Sequence, residues 1–516
     1  MIIYKNLEEI ELVKKSALLV SKTLGELKKY ILPGTLPIDL DKIAETFIRD
    51  HGGEPGFLGM YGFPNSLCIS INEEVVHGIP GNKPLKNGDI ISIDCGVLMN
   101  EYYGDHAYTF TVGEVKEDIK KLLEITKESL YKGKSGIIFA EDYKEMGFRS
   151  HVKGNIDVDL EEKVDRRLLR FMGDGAAYAY IAMQQAIADS GLKEEEVSNF
   201  KTGLIAGSGG PSTSSMLKSF DTAREKNPKR VGPYMVPRCM SSTVSANLAN
   251  SFKIKGLNFS ITSACSTSAH CITAGTDAIR NGSQNIIFAG GGEEIHWSLS
   301  VLFDAMAALS SKYNHDPKTA SRPYDKNRDG FVISGGGGII VLEEHDHAIS
   351  RGAKIYGEIL GYGANSDGYD MVAPSGEGAE RCMKLALNGF DGEKIKRDVR
   401  YINGHGTSTP VGDIAELQAV NNVFKNTSST PILTSTKSLT GHSQGATGVQ
   451  EAIYTLIMMN NNFVSGNLNL EQADENKNDL DIPLKTVKDF SHDVCLSNSF
   501  GFGGTNACLA LGKYFN

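Results

Sequence analysis

The segment from Ser260 to Ile279 constrains this chain more than any other stretch. A β-rich run, Leu257–Thr262, leads into it. The segment then turns through small residues around Cys265 and continues with apolar residues at helical spacing. The backbone N–H groups and the positive dipole at a helix N-terminus favour thiolate over thiol. The pattern therefore predicts that Cys265 is a nucleophile activated without a metal; an ordinary buried cysteine is the competing interpretation.

Two histidines occur in the same kind of setting, at the end of a β-rich run and among small residues. One is His405, within Tyr401–Asp413, and the other is His442, within Ile432–Ile453. The second segment repeats the order of the Cys265 segment: β run, Ser/Thr-rich turn, polar residue, helix. This repetition predicts two similar halves, and a pseudo-twofold axis between them would bring Cys265 and His442 face to face.

The alternation of β-rich and helical runs after residue 132 predicts an α/β layered architecture. Glycine runs follow several of these strands, at 207–210, 290–292 and 335–338. None has the Lys-Ser/Thr ending of a phosphate loop or the dinucleotide-binding spacing followed by an acidic residue. We therefore interpret them as positions of close backbone packing and tight turns.

Composition limits the class of protein. The chain has 516 residues and a net charge of -10, which argues against general nucleic-acid binding. Its 8 cysteines are scattered without a CxxC pair or zinc-ligand spacing, as in a protein with reduced thiols. The N-terminus does not read as a signal peptide, and no apolar run approaches membrane-spanning length. We expect a cytoplasmic protein that binds neither membrane nor nucleic acid.

The first quarter of the chain has a different character. Two amphipathic helices are predicted over 6–30 and 39–50, followed by strand-like runs between 66 and 112. Asp94 and Asp105 stand on neighbouring runs, where their carboxylates could converge on a divalent cation. The alternative is that both are turn-forming aspartates beside glycines.

Residues 1–132 resemble the first half of a bacterial type I methionine aminopeptidase, an α+β fold known as the pita-bread fold. The resemblance rests on 72–80, 88–96, Gly104–Asp105 and 125–131. It implies that Asp94 and Asp105 bridge two metal ions and that His77 contacts substrate. The family's remaining ligands, a histidine and two glutamates, belong to the half that this chain lacks. We therefore expect an incomplete metal site, no peptidase activity, and a truncated fold with exposed apolar surface.

A cysteine with two neutral histidines and no metal suggests carbon–carbon chemistry on a thioester. The thiolate would take an acyl group, and the two imidazoles would stabilise the enolate formed when a malonyl thioester loses CO2. Burial would keep both histidines neutral. Residues 133–516 resemble a bacterial β-ketoacyl-acyl carrier protein synthase of the first type, on the motifs 263–270, 288–294, 303–306, 403–413, 437–443 and 497–506.

That resemblance implies a thiolase-like αβαβα fold of two similar halves, 133–355 and 356–516, and a homodimer. It implies an acyltransferase of fatty-acid elongation that condenses acyl- and malonyl-carrier protein through acyl-Cys265. It assigns Cys265 as the nucleophile, His405 and His442 to decarboxylation, and Lys437 and Glu451 to ordering the site. Thr407 and Thr409 would hold the pantetheine arm, Phe500 and Phe502 would lie in the gating loop, and the backbone N–H groups of Cys265 and Phe502 would form the oxyanion hole. The ligands of a structural monovalent cation would be Asn403, Glu416, Ser497 and Asn498.

No cofactor is required by the resemblance, because the substrates arrive on the phosphopantetheine of an acyl carrier protein. A basic cluster, Arg224, Lys226, Lys229 and Arg230, could dock that acidic carrier through rim charges. A solvated loop is the alternative interpretation of this cluster.

Several alternatives differ in residue type. A degradative thiolase would need a second cysteine near the C-terminus, where this chain has Phe500–Gly504. A starter-unit or plant-polyketide condensing enzyme would carry Cys-His-Asn, whereas the third member here is His442. A metal-binding or interaction module, and an inactive fusion with a defective aminopeptidase-like fragment, are the remaining readings.

The synthase resemblance lacks its N-terminal β-strand, whose place is taken by aminopeptidase-like sequence. The helix predicted over 118–132 fits both patterns. By its spacing from Ser135–Ile137, the run 108–112 falls where the missing strand should lie. We therefore predict that 108–112 fills the vacant position in the synthase sheet.

Overall fold

The computed structural model describes residues 5, 7–71, 78–86, 89–112, 118–390, 395, 398–425, 427 and 430–515. His77 and its neighbours 72–76 lie outside the described residues. The chain divides into two compact units, residues 1–121 and 122–516. No helix in the described part of the chain has the length and apolarity needed to cross a membrane.

The first unit consists of two helices and one antiparallel sheet. In this sheet, Ile90–Met99 (β3) lies between Glu54–Pro55 (β1) and Leu67–Ile71 (β2), and Tyr102–Thr111 (β4) also pairs with β3. One apolar cluster joins the helices to the sheet, with Val20, Leu40, Ile91 and Val97 at its centre, each with 0% exposure. The elements are α1 Leu7–Leu27, α2 Pro37–Asp50, β1 Glu54–Pro55, β2 Leu67–Ile71, β3 Ile90–Met99 and β4 Tyr102–Thr111.

The prediction that 108–112 completes the synthase sheet is wrong. Residues 102–111 pair with 90–99 in an antiparallel hairpin, with Ile90 opposite Thr111. The two-residue connection, Asn100 and Glu101, has φ of 54° and 68°, the conformation that a tight hairpin turn requires. The strand therefore pairs with its neighbour in sequence, because closing a two-residue loop costs far less entropy than a distant pairing.

The second unit contains the remaining elements, and the helix α3, Asp118–Lys132, spans the boundary between the units. Its strands are β5 Ile137–Phe139, β6 Val152–Gly154, β7 Thr202–Gly207, β8 Asn258–Phe259, β9 Ile286–Glu293, β10 Gly336–Glu343, β11 Glu358–Ser366, β12 Tyr401–Asn403, β13 Ile432–Thr434, β14 Val494–Gly501 and β15 Thr505–Gly512. Its helices are α4 Glu141–Glu145, α5 Leu160–Lys163, α6 Arg166–Leu169, α7 Asp174–Ser190, α8 Glu194–Val197, α9 Thr213–Glu225, α10 Met235–Cys239, α11 Thr243–Ser251, α12 Thr267–Arg280, α13 Trp297–Ala305, α14 His345–Ser350, α15 Glu377–Leu387, α16 Pro410–Phe424, α17 Lys437–Thr440 and α18 Thr447–Asn460.

Two mixed sheets form the body of this unit. The first has strand order β10-β9-β7-β8, and the second has β11-β15-β14-β12-β13. Helices α7 and α11 pack on the first sheet from outside, and α15 covers the second. Helices α12 and α18 pack against each other between the sheets. The five layers are therefore helix, sheet, helix, sheet, helix, which confirms the predicted αβαβα architecture.

Close approach of the two central helices sets the geometry of the site. A Cβ added at Gly448 of α18 would lie 2.8 Å from the backbone nitrogen of Ala269 in α12. The Ser268 hydroxyl accepts a hydrogen bond of 2.9 Å from the backbone of Val449. The N-terminal ends of α12 and α18 thus lie side by side, as the pseudo-twofold arrangement predicted for the Cys265 and His442 segments.

Two of the glycine runs lie within strands, 290–292 in β9 and 336–338 in β10, and the third begins at Gly207, the last residue of β7. A Cβ at Gly292 of β9 would stand 1.9 Å from the carbonyl oxygen of Gly175 in α7. No side chain fits at that distance, so glycine allows the helix to lie directly on the sheet. This observation supports close backbone packing as the reason for the runs.

Candidate active site

Cys265 lies in a tight turn that leads into α12. The 3-10 turn Ala264–Ser266 runs directly into the helix, and Ala264 has φ of 48°, a left-handed conformation that costs a non-glycine residue energy. The Ser266 hydroxyl donates 2.8 Å hydrogen bonds to the carbonyls of Ser499 and Thr505. This turn is therefore fastened to the β14–β15 hairpin of the other half.

Burial changes the chemistry expected of the cysteine. It raises the pKa of the Cys265 thiol to about 11, although Lys437 and the backbone N–H groups of Phe502 and Cys265 pull the pKa down. Loss of hydration disfavours the charged form more than these groups stabilise it. The resting group is therefore a thiol rather than the thiolate predicted from the helix terminus, and it needs a base.

His442 is placed to serve as that base. Its Nε2 lies 3.0 Å from Cys265 Sγ, and its Nδ1 lies 3.0 Å from the Thr447 hydroxyl. Because that hydroxyl can donate or accept, His442 can carry its proton on either nitrogen. Burial, and then the charge of Lys437, hold the pKa of His442 well below its usual value, so the ring is neutral.

His405 completes the group. Its ring centroid lies 5.4 Å from that of His442, with the rings nearly perpendicular. The ligand-type atoms of Cys265, His405 and His442 lie within 4.8 Å of one another. Burial, then the charge of Lys437 and the neighbouring His442, keep the pKa of His405 well below its usual value. Two neutral imidazoles therefore face the thiol, as the sequence predicts.

One carboxylate holds the loop that carries His405. Glu416 accepts hydrogen bonds of 2.7 Å from the backbone N–H of His405 and 2.6 Å from that of Gly406. It also accepts from the Tyr324 hydroxyl at 2.9 Å and the Asn498 amide at 3.1 Å. Both oxygens are thus fully used, and Glu416 acts as a positioning residue for His405.

Lys437 and Glu451 form a buried ion pair, each side chain 2% exposed, with Nζ 2.5 Å from Oε1. Burial raises the pKa of Glu451 to about 7, although Lys437 opposes this shift. Lys437 lowers the pKa of Cys265, His405 and His442. The pair therefore sets the electrostatics of the site, which supports the ordering role predicted for both residues.

Thr407 and Thr409 meet through their hydroxyls at 3.0 Å on the same loop as His405. Asp413 holds this loop by accepting from the backbone N–H of Thr407 at 3.0 Å and of Tyr324 at 2.8 Å. Both threonines are half-buried. Their predicted contact with a substrate arm stays a prediction.

The hairpin tip between β14 and β15 carries the two phenylalanines. The Phe500 ring packs edge-on against His405, with centroids 5.8 Å apart, while Phe502 is 38% exposed. Gly503 and Gly504 follow with φ of 82° and 70°, which allows the tight turn. The backbone N–H groups of Phe502 and Cys265 both hydrogen-bond to Sγ, so two donors converge on the nucleophile.

The predicted monovalent-cation ligands do not share one face. Ser497 and Asn498 are successive residues of β14, so their side chains point to opposite faces of the sheet. Asn498 donates to Glu416, whereas the Asn403 side-chain oxygen lies 3.5 Å from the Thr436 backbone nitrogen. The cation site stays a prediction, and this arrangement does not support its side-chain ligand set.

Asp94 and Asp105 lie on one face of the β3–β4 hairpin, in the first unit. Asp94 stands opposite Ala107, and Asp105 stands opposite Gly96, so the two carboxylates are diagonal neighbours. In the described part of the chain, only Cys265, His405 and His442 form a group of three potential metal-binding residues. The aminopeptidase-like metal site stays a prediction, without a third ligand among those residues.

Some residues that shape the site were not found by sequence reasoning. Glu293 accepts from the Ser208 hydroxyl at 2.8 Å and from the backbone of Gly209 at 2.6 Å and Gly445 at 3.1 Å, so it joins a first-half loop to the His442 loop. Tyr324 donates to Glu416. Glu293 lies within the motif 288–294, but a pattern of residue types does not reveal which backbone groups a buried side chain will hold.

Comparisons with known proteins agree with this geometry. Residues 119–348 match the model "Beta-ketoacyl synthase, N-terminal domain", and residues 356–471 match "Beta-ketoacyl synthase, C-terminal domain". Residues 11–145 match "Metallopeptidase family M24". The metallopeptidase match and the synthase N-terminal match overlap over residues 119–145, a range that includes most of α3, the helix that fits both patterns.

The chain is 51% identical over 405 residues to 3-oxoacyl-[acyl-carrier-protein] synthase 1 of Haemophilus influenzae, covering 78% of this chain and 96% of that protein. It is 53% identical over 387 residues to the Escherichia coli K12 protein of the same name, covering 75% and 93%. A crystal structure of a beta-ketoacyl synthase from Burkholderia phymatum superposes with a TM-score of 0.70 at 31% identity, covering 76% of this chain and 95% of that chain. From residue 119 onward, this chain belongs to the beta-ketoacyl synthase family.

Proposed function

We propose that this protein is a β-ketoacyl-acyl carrier protein synthase of fatty-acid elongation, an acyltransferase that works through an acyl-Cys265 intermediate. The observation that carries the proposal is the convergence of Cys265 with two neutral histidines, His405 and His442, beside a buried Lys437–Glu451 pair. Membership in the family and the identity to the Haemophilus and Escherichia synthases support it.

Acylation begins with the half-buried thiol of Cys265. His442 Nε2 takes the proton of Cys265, and the sulfur attacks the thioester carbonyl of the acyl carrier. The carbonyl oxygen becomes negative and is stabilised by the backbone N–H groups of Cys265 and Phe502, the pair that hydrogen-bonds to Sγ. The carrier's pantetheine sulfur leaves with the proton from His442, and the acyl group remains on Cys265.

Condensation then uses both imidazoles as donors. The malonyl thioester loses CO2, and the negative charge that develops on its carbonyl oxygen accepts hydrogen bonds from His405 and His442. The enolate carbon attacks the acyl carbonyl on Cys265, and the cysteine sulfur leaves and regains a proton. Neutral rings suit this step, because the low pKa of each keeps one nitrogen free and one protonated.

An acyl carrier protein is the proposed partner. One solved structure is that of a type II polyketide synthase acyl-carrier protein in complex with its ketosynthase. It is similar to this chain, with 26% identity and a TM-score of 0.69. Arg224, Lys226, Lys229 and Arg230 are exposed around the end of α9, and we place the docking of the acidic carrier there. Thr407 and Thr409 would receive the pantetheine arm, and the active form would be a homodimer.

The two half-reactions test this proposal separately. The purified chain is mixed with acyl carrier protein charged with a fatty acyl group, and intact mass spectrometry follows acyl transfer to Cys265. Malonyl-carrier decarboxylation is followed as CO2 release. We expect Cys265→Ala to abolish acyl transfer but retain decarboxylation, and His405→Ala to do the reverse. Acylation of a residue other than Cys265 would contradict the assignment.

A further inference from the structure

The two sheets of the second unit have matching strands in the described part of the chain, except that the second sheet has one more strand than the first. In the second sheet, β14 and β15 pair through eight residues each, and β11 pairs antiparallel with the far edge of β15. In the first sheet, β9 and β10 pair in the same way, 286–293 with 336–343. The sheet order then ends at β10: in the described part of the chain, no strand takes the position that β11 fills in the other half.

The burial of equivalent residues reflects this difference. Ile340 and Val341 of β10 correspond in register to Leu509 and Ala510 of β15. Leu509 and Ala510 are 1% and 0% exposed, whereas Ile340 and Val341 are only half-buried. The missing neighbour therefore leaves apolar side chains and the backbone edge of β10 accessible, which is unusual for a strand of such apolar sequence.

The open position lies between two apolar helix surfaces. On one side α7 packs along β10, and Ile181 and Val341 belong to the same apolar cluster. On the other side α18 packs on β10, and Ile340 and Ile453 share a second cluster. Any segment that adds to β10 would gain both ladder hydrogen bonds and apolar contacts on its two faces.

We propose that the free edge of β10 binds one extended segment from another polypeptide, antiparallel to β10, which adds a fifth strand to the first sheet. We infer its chemistry from β11, the strand in the matching position. It is apolar, about nine residues long, and has glycines at alternate positions. In β11 these are Gly361 and Gly363, where an added Cβ would lie 2.5 Å from the Ala386 carbonyl and 2.0 Å from that of Cys382.

A strand beside β10 would need glycine or another small residue for the same reason as β11, because a helix packs closely on the sheet. Helix α7 approaches the sheet so closely that a Cβ at Gly337 would lie 2.6 Å from the backbone carbon of Tyr178. Bulky side chains on the α7 face of an added strand would force this helix away. The site therefore selects small residues on one face and β-branched residues on the other. The chain's own run 102–111 belongs to the sheet of the first unit, where it pairs with 90–99, and it is not among the strands that pair with β10.

The test uses the full chain and a synthetic peptide with the sequence of β11, residues 358–366. Backbone hydrogen exchange of 336–343 is measured with and without peptide. We expect alternate amides of β10, those on the free edge, to be protected progressively as the peptide is added. At a peptide concentration of 100 times Kd, exchange through the open edge should slow by about a hundredfold.

Two peptides with N-methyl groups serve as matched controls, because methylation removes hydrogen-bond donors without changing the side chains. Methylating alternate residues on one edge of the peptide should abolish protection, and methylating the other set should leave it intact. Equal effects of the two, or no protection by any peptide, would overturn the proposal. Protection of these amides in the chain without peptide would also overturn the proposal. If that protection rises with protein concentration, a second copy of the chain occupies the position. If it does not depend on concentration, a segment of the same chain occupies it.

Discussion

Replacing Glu416 by glutamine tests how strictly His405 must be held. The carboxylate accepts from the backbone N–H groups of His405 and Gly406, from the Tyr324 hydroxyl and from the Asn498 amide. Glutamine keeps the size of the side chain but turns one acceptor into a donor. The least costly orientation places the new amide nitrogen at Oε2, where Tyr324 can rotate to accept but the Gly406 N–H faces another donor.

The expected cost follows from these contacts. A hydrogen bond to a charged group is worth about 1.5–3 kcal/mol, and a buried donor left without an acceptor costs about 1–3 kcal/mol. Losing the Gly406 contact, which leaves this N–H without an acceptor, therefore destabilises the native loop by about 1–3 kcal/mol. A displacement of His405 on the order of 1 Å would slow the step that depends on it by about a hundredfold.

The two half-reactions separate this effect from general damage. We expect Glu416→Gln to slow malonyl-carrier decarboxylation by about ten- to a hundredfold while acyl transfer to Cys265 changes little. The control is Glu343→Gln, which weakens a carboxylate paired with Arg351 and His347 at the end of β10. If Glu416→Gln slowed both half-reactions equally, or neither, the positioning role assigned to Glu416 would be refuted.

Three further predictions address the oxyanion donors, the histidines and the first unit. Phe502→Pro removes one backbone N–H and should lower acyl transfer by about 10²–10³-fold, whereas Phe502→Leu keeps the donor and should retain most of the activity; similar losses in both would rule out the backbone role. Burial holds the pKa values of His405 and His442 well below 6.5, so the stability that their neutral rings contribute is fully present above pH 6.5 and is lost progressively as pH falls from 6.5 through the lowered values. Decarboxylation measured from pH 8 to 6 should therefore show no step from either histidine. Because the pKa of Glu451 is raised to about 7, the profile is compared with that of Glu451→Gln, and a step near 6.5 that remains in this variant would contradict the prediction. Asp94→Asn combined with Asp105→Asn should leave condensation unchanged, and methionine release from peptides with added Co²⁺ or Mn²⁺ should be absent both with and without these changes; metal-dependent release would show that the first unit forms a working site.

The layered architecture and the reacting residues could be predicted because they depend on features that are local in sequence. Cys265 and His442 each stand between a β-rich run and a helix, and this shared order predicts that the two side chains face each other. The contact of 3.0 Å between Sγ and Nε2 bears out that arrangement. The alternation of periodicities predicts α/β layers, whereas the αβαβα order of those layers is what the synthase resemblance implies.

Other features depend on burial and competition between distant segments. The helix terminus at Cys265 predicts a thiolate, but desolvation of this half-buried thiol raises its pKa to about 11. The run 108–112 had the right composition for the vacant strand, yet Asn100 and Glu101 close a hairpin with β3. The positioning role of Glu416 was missed because it depends on the backbone N–H groups of His405 and Gly406, which no residue pattern displays.

Condensation by the whole 516-residue chain is the most direct test of its proposed activity. Acyl-carrier protein and malonyl-carrier protein are incubated with the purified chain and, in parallel, with Cys265→Ala, and the 3-oxoacyl product on the carrier is measured by mass spectrometry. We predict product with the natural chain and none with Cys265→Ala, which would show that a synthase with a four-stranded first sheet assembles a working site. A soluble, folded chain that forms no product, or product that persists in Cys265→Ala, would contradict the proposed function.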